Sequence, residues 1–193
     1  MRGGDVMEVH YVHHPQQAID IGPHVFPVEK YAILCDWLRS EVGVEDARWH
    51  EAESVERADL ERIHESSYVD DLMEARITAA TMASELPIRH DVIAAFLAMA
   101  GGAITTARLA LTHGCGFHIG GGLHHAFADH AEGFCYVNDV AVAIARMRFE
   151  GRIGRVLIVD VDVHQGNGTA AIFSDDDGTF TYSIHQENNY PIK

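Results

Sequence analysis

Two short stretches of the chain, Gly120–Ala126 and Val159–Gly168, concentrate imidazole and carboxylate side chains. In the second stretch Asp162 and His164 are two residues apart, so at the end of a β-strand their side chains leave on the same face. A carboxylate and an imidazole placed together suit zinc. A metal there would polarise a carbonyl and activate water for hydrolysis. The alternative is a strand that simply emerges into water.

The first stretch places two adjacent histidines, His124 and His125, after three glycines. Glycine allows a tight backbone path that turns both rings toward one point. Neutral imidazoles in such a position are candidate proton carriers, and Asp160 is available to fix the tautomer of one ring. The alternative is an ordinary surface loop. The glycines do not form a nucleotide-binding pattern.

Strands and helices alternate around these stretches, which predicts β-α-β units and a parallel sheet. Functional groups in such a sheet collect beyond the carboxyl ends of the strands, so we expect the two stretches to share one site. The apolar run before Asp160 predicts a strand covered on both faces. The elements predicted in this half are a strand at 116–120, a helix at 138–150, a strand at 155–161, a helix at 169–173 and a strand at 179–184.

The amino-terminal half predicts a smaller set of elements. A long apolar segment, Asp91–Thr112, predicts a largely buried helix in which Gly101 and Gly102 permit close packing. Val28–Arg39 predicts an amphipathic helix whose apolar positions include Ile33 and Trp37. The remaining predictions are strands at 9–12 and 47–49 and short helices at 59–63 and 68–77.

The composition predicts one globular unit over residues 1–193, since 47% of the 193 residues are apolar. A net charge of −15 argues against nucleic-acid binding through phosphate neutralisation, and it is compatible with cationic substrates. The three cysteines form no Cys-x-x-Cys pair, which favours a reducing compartment. Residues 1–8 lack the apolar core of a signal peptide, and we expect no segment to approach the roughly 20 apolar residues of a membrane span, so the sequence predicts a cytoplasmic protein.

Three motifs together, Gly120–His125, Gly133–Asp139 and Val159–Gly168, resemble the histone deacetylase family in order and spacing. That family includes bacterial acetoin-utilisation proteins and acetylpolyamine amidohydrolases. Weaker similarity covers His64–Leu72 and Thr181–His185. The resemblance implies an arginase/deacetylase-like α/β fold, a parallel sheet flanked by helices in three layers, incomplete at the carboxyl terminus. It also implies zinc-dependent hydrolysis of an acylated lysine or an acetylpolyamine-like substrate.

The resemblance assigns roles to the ionisable residues. Asp162 and His164 would be zinc ligands, and His125 would be the general base and then the general acid. His124 would be its electrostatic partner, oriented by Asp160. That aspartate would also belong to a structural potassium site with Ser183 and main-chain oxygens that include the one of Ile184.

Other positions would shape the substrate channel or depart from the family pattern. The resemblance implies that Gly133 and Phe134 line the channel for the acyl-lysine chain, with Tyr190 as a candidate for the opposite wall. Asn167 stands where many relatives carry an aspartate that holds the second histidine. An amide can accept the same hydrogen bond, but it brings no charge.

The family's third zinc ligand, an aspartate, and its transition-state tyrosine would fall beyond Lys193, as would strands that sit inside the sheet. We therefore expect residues 1–193 alone to be inactive or nearly so, with open strand edges that could pair in a homo-oligomer. Two other functions stay open. One is a truncated or degenerate noncatalytic member that acts as a binding or structural protein, and the other is a structural metal-binding domain.

Overall fold

The computed structural model describes residues 8–191, so the segment from which we predicted the absence of a leader lies almost wholly outside them. The strands are β1 Val9–His13, β2 Trp49–Glu51, β3 Cys115–His118, β4 Val156–Asp160 and β5 Thr179–Ser183. The helices are α1 Lys30–Ser40, α2 Arg57–Leu60, α3 Ser66–Met73, α4 Ala79–Met82, α5 His90–His113, α6 Asp139–Phe149 and α7 Asn167–Ile172.

The strands form two parallel sheets, one with the order β2-β1-β3 and one with the pair β4-β5. In the first, Val12 pairs with His118, and in the second, Asp160 pairs with Ser183. The predicted class is confirmed, because parallel strands are connected and flanked by helices in an arginase/deacetylase-like α/β arrangement. The two polar stretches follow β3 and β4, and residues of both line one cavity.

Helix α5 forms the centre of the core, as its apolar sequence predicted. A Cβ on Gly101 would lie 1.9 Å from the carbonyl oxygen of Glu53, and one on Gly102 would lie 2.2 Å from the His118 ring. Both glycines are therefore required for close packing. The expectation that no segment approaches a membrane span was wrong, because α5 is long and apolar enough by length and composition. However, 56% of its most apolar window is buried in the protein, as in a core helix.

Helix α6 begins at Asp139, the last residue of the Gly133–Asp139 motif. The side chain of Asn138 caps the helix by accepting a hydrogen bond from the backbone N–H of Ala141. At the other end, Arg146 donates to both carboxylate oxygens of the buried Asp59 at 2.7 Å each. Both bonds come from Nη1, and this charged contact holds α6 against α2 and so fixes the position of the helix.

Two amino-terminal predictions need correction. In α1 the buried residues are Tyr31, Cys35 and Leu38, whereas Ile33 and Trp37 are 64% and 52% exposed. The face that packs follows the i, i+4, i+7 positions, and the apolar residues outside it remain in solvent. The strand predicted at 47–49 begins only at its last residue, Trp49, because a 3₁₀ turn occupies the three residues before it.

Strand β4 was expected to be covered on both faces, and this was wrong. Its side chains alternate in burial, so that Leu157 and Val159 are 63% and 56% exposed while Ile158 packs against α6. Within residues 8–191 no strand pairs with both β3 and β4. A groove of about 820 Å³ lies between them, with α5 and α6 along its floor.

Candidate active site

A buried carboxylate holds the histidine loop. Asp139 accepts hydrogen bonds from the backbone N–H groups of Leu123 at 2.7 Å and Gly122 at 3.0 Å. Burial raises the pKa of Asp139, and those backbone donors oppose the rise. Gly121 has a φ of +70°, and a Cβ there would lie 2.1 Å from the Asp139 carboxylate. The loop therefore needs glycine at this position to reach its anchor.

A second set of contacts ties the loop to α7 and to the segment that precedes α3. The Asn138 amide donates to the carbonyl of Ala126 at 3.2 Å and to the hydroxyl of Thr169 at 2.9 Å. The Thr169 N–H donates to the carbonyl of His124 at 3.0 Å. His64 donates through Nδ1 to the carbonyl of Phe127, and burial lowers the pKa of His64 to about 4. This neutral imidazole is a structural part of the loop's support.

The two histidine rings lie side by side, with centroids 4.0 Å apart. His124 donates from Nδ1 to Asp160 at 2.7 Å, and His125 donates from Nδ1 to the Asn167 Oδ1 at 2.7 Å. Each Nε2 is then left as an acceptor. Burial lowers the pKa of His125, as do the neighbouring imidazoles of His124 and His164, while Asn167 opposes this effect. His125 is therefore a neutral acceptor near neutral pH.

The two predicted zinc ligands face this pair. Asp162 Oδ1 lies 3.4 Å from His164 Nδ1 and 3.9 Å from His124 Nε2. Two ligand atoms at bond lengths of about 2.1 Å and a tetrahedral angle would be separated by about 3.4 Å, so the pair fits zinc. Within residues 8–191 no group of three His, Cys, Asp or Glu residues could hold a metal ion. The described chain therefore supplies only a partial metal site.

A cavity of about 490 Å³ opens above these groups. Gly133, Phe134 and Tyr190 line it, and the Tyr190 ring lies 4.9 Å from that of His125 and nearly perpendicular to it. A Cβ on Gly133 would lie 2.5 Å from the His125 ring and 2.9 Å from the Tyr190 ring, so a side chain at this position would clash with both, and Tyr190 lies beside Gly133 instead of across the cavity from it. Phe134 has a φ of +65°, which costs about 1–3 kcal/mol and marks a constrained position.

The predicted potassium residues also lie together. Asp160 and Ser183 are register partners, and the N–H of Ile184 donates to the Asp160 carbonyl at 3.0 Å. Asp160 and Ser183 line a second cavity of about 180 Å³. Oxygen donors suit a hard cation, and the potassium site stays a prediction.

Several lining residues were missed by the sequence analysis. Lys30, Tyr31, Glu85 and the segment 25–27 belong to the cavity wall, and no motif marked them. Cys135 also lies at the wall, where burial raises the pKa of its thiol to about 12. A thiol with that pKa is a poor nucleophile, so Cys135 serves as a small core residue.

Comparison with known proteins now identifies the family. Residues 24–193 match the histone deacetylase domain, which covers most of the chain. The chain belongs to the histone deacetylase family. This deacetylase-family chain is 40% identical over 182 residues to an uncharacterized protein of Picosynechococcus sp. strain PCC 7002, covering 93% of this chain and 61% of that protein.

Two further comparisons agree with the family assignment. Histone deacetylase 2 of Arabidopsis thaliana is 31% identical over 176 residues, covering 88% of this chain and 46% of that protein. The crystal structure of an HDAC homolog from Aquifex aeolicus superposes with a TM-score of 0.81 at 23% identity, covering 95% of this chain and 53% of that one. The deacetylase-family chain thus spans less than two thirds of each relative.

Proposed function

We propose that this chain contributes the proton-transfer groups and two zinc ligands to a deacetylase that hydrolyses acyl-lysine-type amides. One observation carries the proposal. Two imidazoles, each anchored through Nδ1, lie beside the Asp162–His164 pair at the 490 Å³ cavity, with His124 Nε2 3.9 Å from Asp162 Oδ1. Family membership supports amide hydrolysis, and the donor set supports zinc as its metal.

The chain's own residues divide the chemistry between them. His125 accepts a proton from water at Nε2 and returns it to the leaving amine, while Asp160 and Asn167 keep both rings oriented. Asp162 and His164 would hold zinc, which would supply Lewis-acid polarisation of the acyl carbonyl. Gly133, with no side chain, keeps the channel open for an extended acyl-lysine chain.

The test measures zinc content and acetyl-lysine hydrolysis in the full-length product of the reading frame that contains this chain. We expect hydrolysis that a hydroxamate chelator inhibits and that His125→Ala reduces by at least about 10²-fold. His90→Ala, on an exposed residue at the start of α5, is the matched control and should retain activity. Bound zinc without hydrolysis would instead favour a structural or noncatalytic role.

Residues 1–193 alone should hydrolyse poorly, because a catalytic zinc needs three protein ligands and the described residues supply two. Hydrolysis at ordinary enzyme rates by this chain with stoichiometric zinc would contradict that expectation. We also propose a reducing, cytoplasmic setting, supported by three cysteines that form no disulfide.

A further inference from the structure

A tight turn places Glu132 beside the catalytic histidines. Glu132 and Cys135 exchange two backbone hydrogen bonds, of 3.1 and 2.8 Å, and the two residues between them have φ values of +51° and +65°. This pattern is that of a type I′ turn. Because the turn's glycine packs directly on the His125 ring, the Glu132 side chain emerges next to the partner of that ring.

Glu132 receives two hydrogen bonds from the site. Its Oε1 accepts from the Asn167 amide nitrogen at 2.6 Å and from the Tyr190 hydroxyl at 3.1 Å. The Asn167 oxygen in turn accepts from His125 Nδ1 at 2.7 Å. The three side chains therefore form one hydrogen-bonded row, with a carboxylate at the end away from the imidazole.

The row determines which end of the amide faces the imidazole. An asparagine amide has an acceptor oxygen on one side and a donor nitrogen on the other, and rotation by half a turn exchanges them. An NH₂ group facing His125 would make Nδ1 the acceptor and move the proton to Nε2, where a base needs its lone pair. An ionised carboxylate is an acceptor only, so Glu132 favours the orientation in which the NH₂ points away from His125.

We propose that Glu132 is a positioning residue that orients the Asn167 amide and thereby keeps His125 in the tautomer with Nδ1 protonated and Nε2 free. Position 167 carries an amide where many relatives carry a carboxylate, and Glu132 supplies a carboxylate on the side of that amide away from His125. Tyr190 helps to hold Glu132 in place through its hydroxyl. The importance of this tautomer for catalysis rests on the proposed function, but the tautomer itself can be measured without activity.

The main experiment uses ¹⁵N-histidine NMR on the purified 21.3 kDa chain, with the His125 signals assigned from a His125→Gln variant. We expect the wild type to show His125 with Nδ1 protonated. Glu132→Ala should lose that signal in favour of Nε2 protonation. Glu132→Gln retains an acceptor oxygen for the Asn167 amide and should keep the wild-type tautomer.

Glu187→Gln is the matched control, because it removes a carboxylate at an exposed position three residues before Tyr190. It should leave the His125 signals unchanged. The proposal is wrong if Glu132→Ala keeps the wild-type tautomer, if Glu132→Gln loses it, or if Glu187→Gln loses it too. Backbone amide spectra of each variant check that the fold is retained.

A kinetic experiment on the full-length product separates this inference from the proposed function. Glu132→Ala should lower kcat by about 10- to 100-fold with little change in KM, and Glu132→Gln should restore most of it. A rise in KM with an unchanged kcat would contradict a positioning role. Absence of activity in the wild type would refute the proposed function, while the NMR result would still decide the role of Glu132.

Discussion

The histidine loop and the Asp162–His164 segment lie side by side and line one cavity, but the protein holds them differently. The loop is anchored by a buried carboxylate, and its His124 side chain is only 12% exposed. The side chains of Asp162 and His164 are 51% and 38% exposed. The proposed proton-transfer groups are thus preorganised by the described core, whereas the proposed metal ligands lie on a segment with little packed over it.

The sheets beneath the two segments differ in the same way. Val12 in β1 is fully buried under α5, whereas Val159 in β4 is 56% exposed on a face that nothing in residues 8–191 covers. Burial decides the energetic weight of a side chain, since apolar area removed from water contributes about 25 cal/mol per Å². We therefore expect stability to reside mainly in the β1–β3 region, while the β4–β5 region carries the proposed metal ligands.

The largest expected effect comes from the metal ligands. In the full-length product, Asp162→Ala or His164→Ala should remove zinc and reduce hydrolysis by at least about 10³-fold, because a catalytic zinc then keeps too few ligands. The unfolding free energy of residues 1–193 without zinc should change by less than about 0.5 kcal/mol, as at other exposed positions. Zinc analysis, kinetics and urea unfolding measure the three quantities. A large decrease in the free energy of unfolding would show that the Asp162–His164 segment is packed and not exposed.

The pH dependence of stability should come from the buried region. Burial lowers the pKa of both His64 and His118 from 6.5 to about 4. The contribution of these two histidines to the free energy of unfolding is complete above pH 6.5. It falls as the pH drops toward 4, because the unfolded chain then binds protons that the folded chain excludes. Each histidine should cost about 2 kcal/mol by pH 5. Urea unfolding from pH 7 to pH 5 measures the slope.

Two histidine variants test which residues cause the fall in the free energy of unfolding between pH 7 and pH 5. His64→Gln keeps a donor and an acceptor for the two hydrogen bonds of the imidazole and should reduce the slope. Exposed His90→Gln is the control and should keep the wild-type slope. An unchanged slope in His64→Gln would locate the acid sensitivity elsewhere.

A matched pair of valines compares the two sheets directly. Val12→Ala should lower the free energy of unfolding by about 2 kcal/mol, because it leaves a cavity in a packed core. Val159→Ala should change it by less than about 0.5 kcal/mol. Both values come from urea unfolding of the same chain. Equal losses would mean that the exposed face of β4 is covered in solution.

The smallest effect concerns the row behind His125. Asn167→Asp would set two carboxylates at the 2.6 Å contact with Glu132 and should destabilise the chain, whereas combining it with Glu132→Gln exchanges the amide and the carboxylate and relieves the repulsion. A double-mutant cycle on thermal unfolding should give a coupling of about 1 kcal/mol. Additive effects would show that the two side chains do not interact.

The positions of most elements could be predicted from local pattern. Helices α5 and α6 and strands β4 and β5 lie within one or two residues of their predicted bounds, because apolar periodicity and capping residues are local signals. The exposed face of β4 could not be predicted this way. A continuous apolar run shows that a strand can be covered on both faces, but only the positions of other elements show whether it is.

The site was predictable where side chains from one motif act together. His124, His125, Asp162 and His164 were singled out by type and spacing, and the structure places them together, although their roles remain predictions. Glu132 was not found. It is one acidic residue among 29, and the residues next to it in the sequence do not indicate that its partner is Asn167, 35 positions away.

The sequence by itself determined the family, the parallel α/β class and the identity of the residues that could hold zinc or carry a proton, because these depend on residue type and short-range spacing. Tertiary structure alone decided three things: which face of each strand is packed, how the histidine loop is anchored, and which carboxylate lies behind Asn167. These depend on contacts between distant segments, where the direction of a side chain is set by packing and not by its neighbours in the chain.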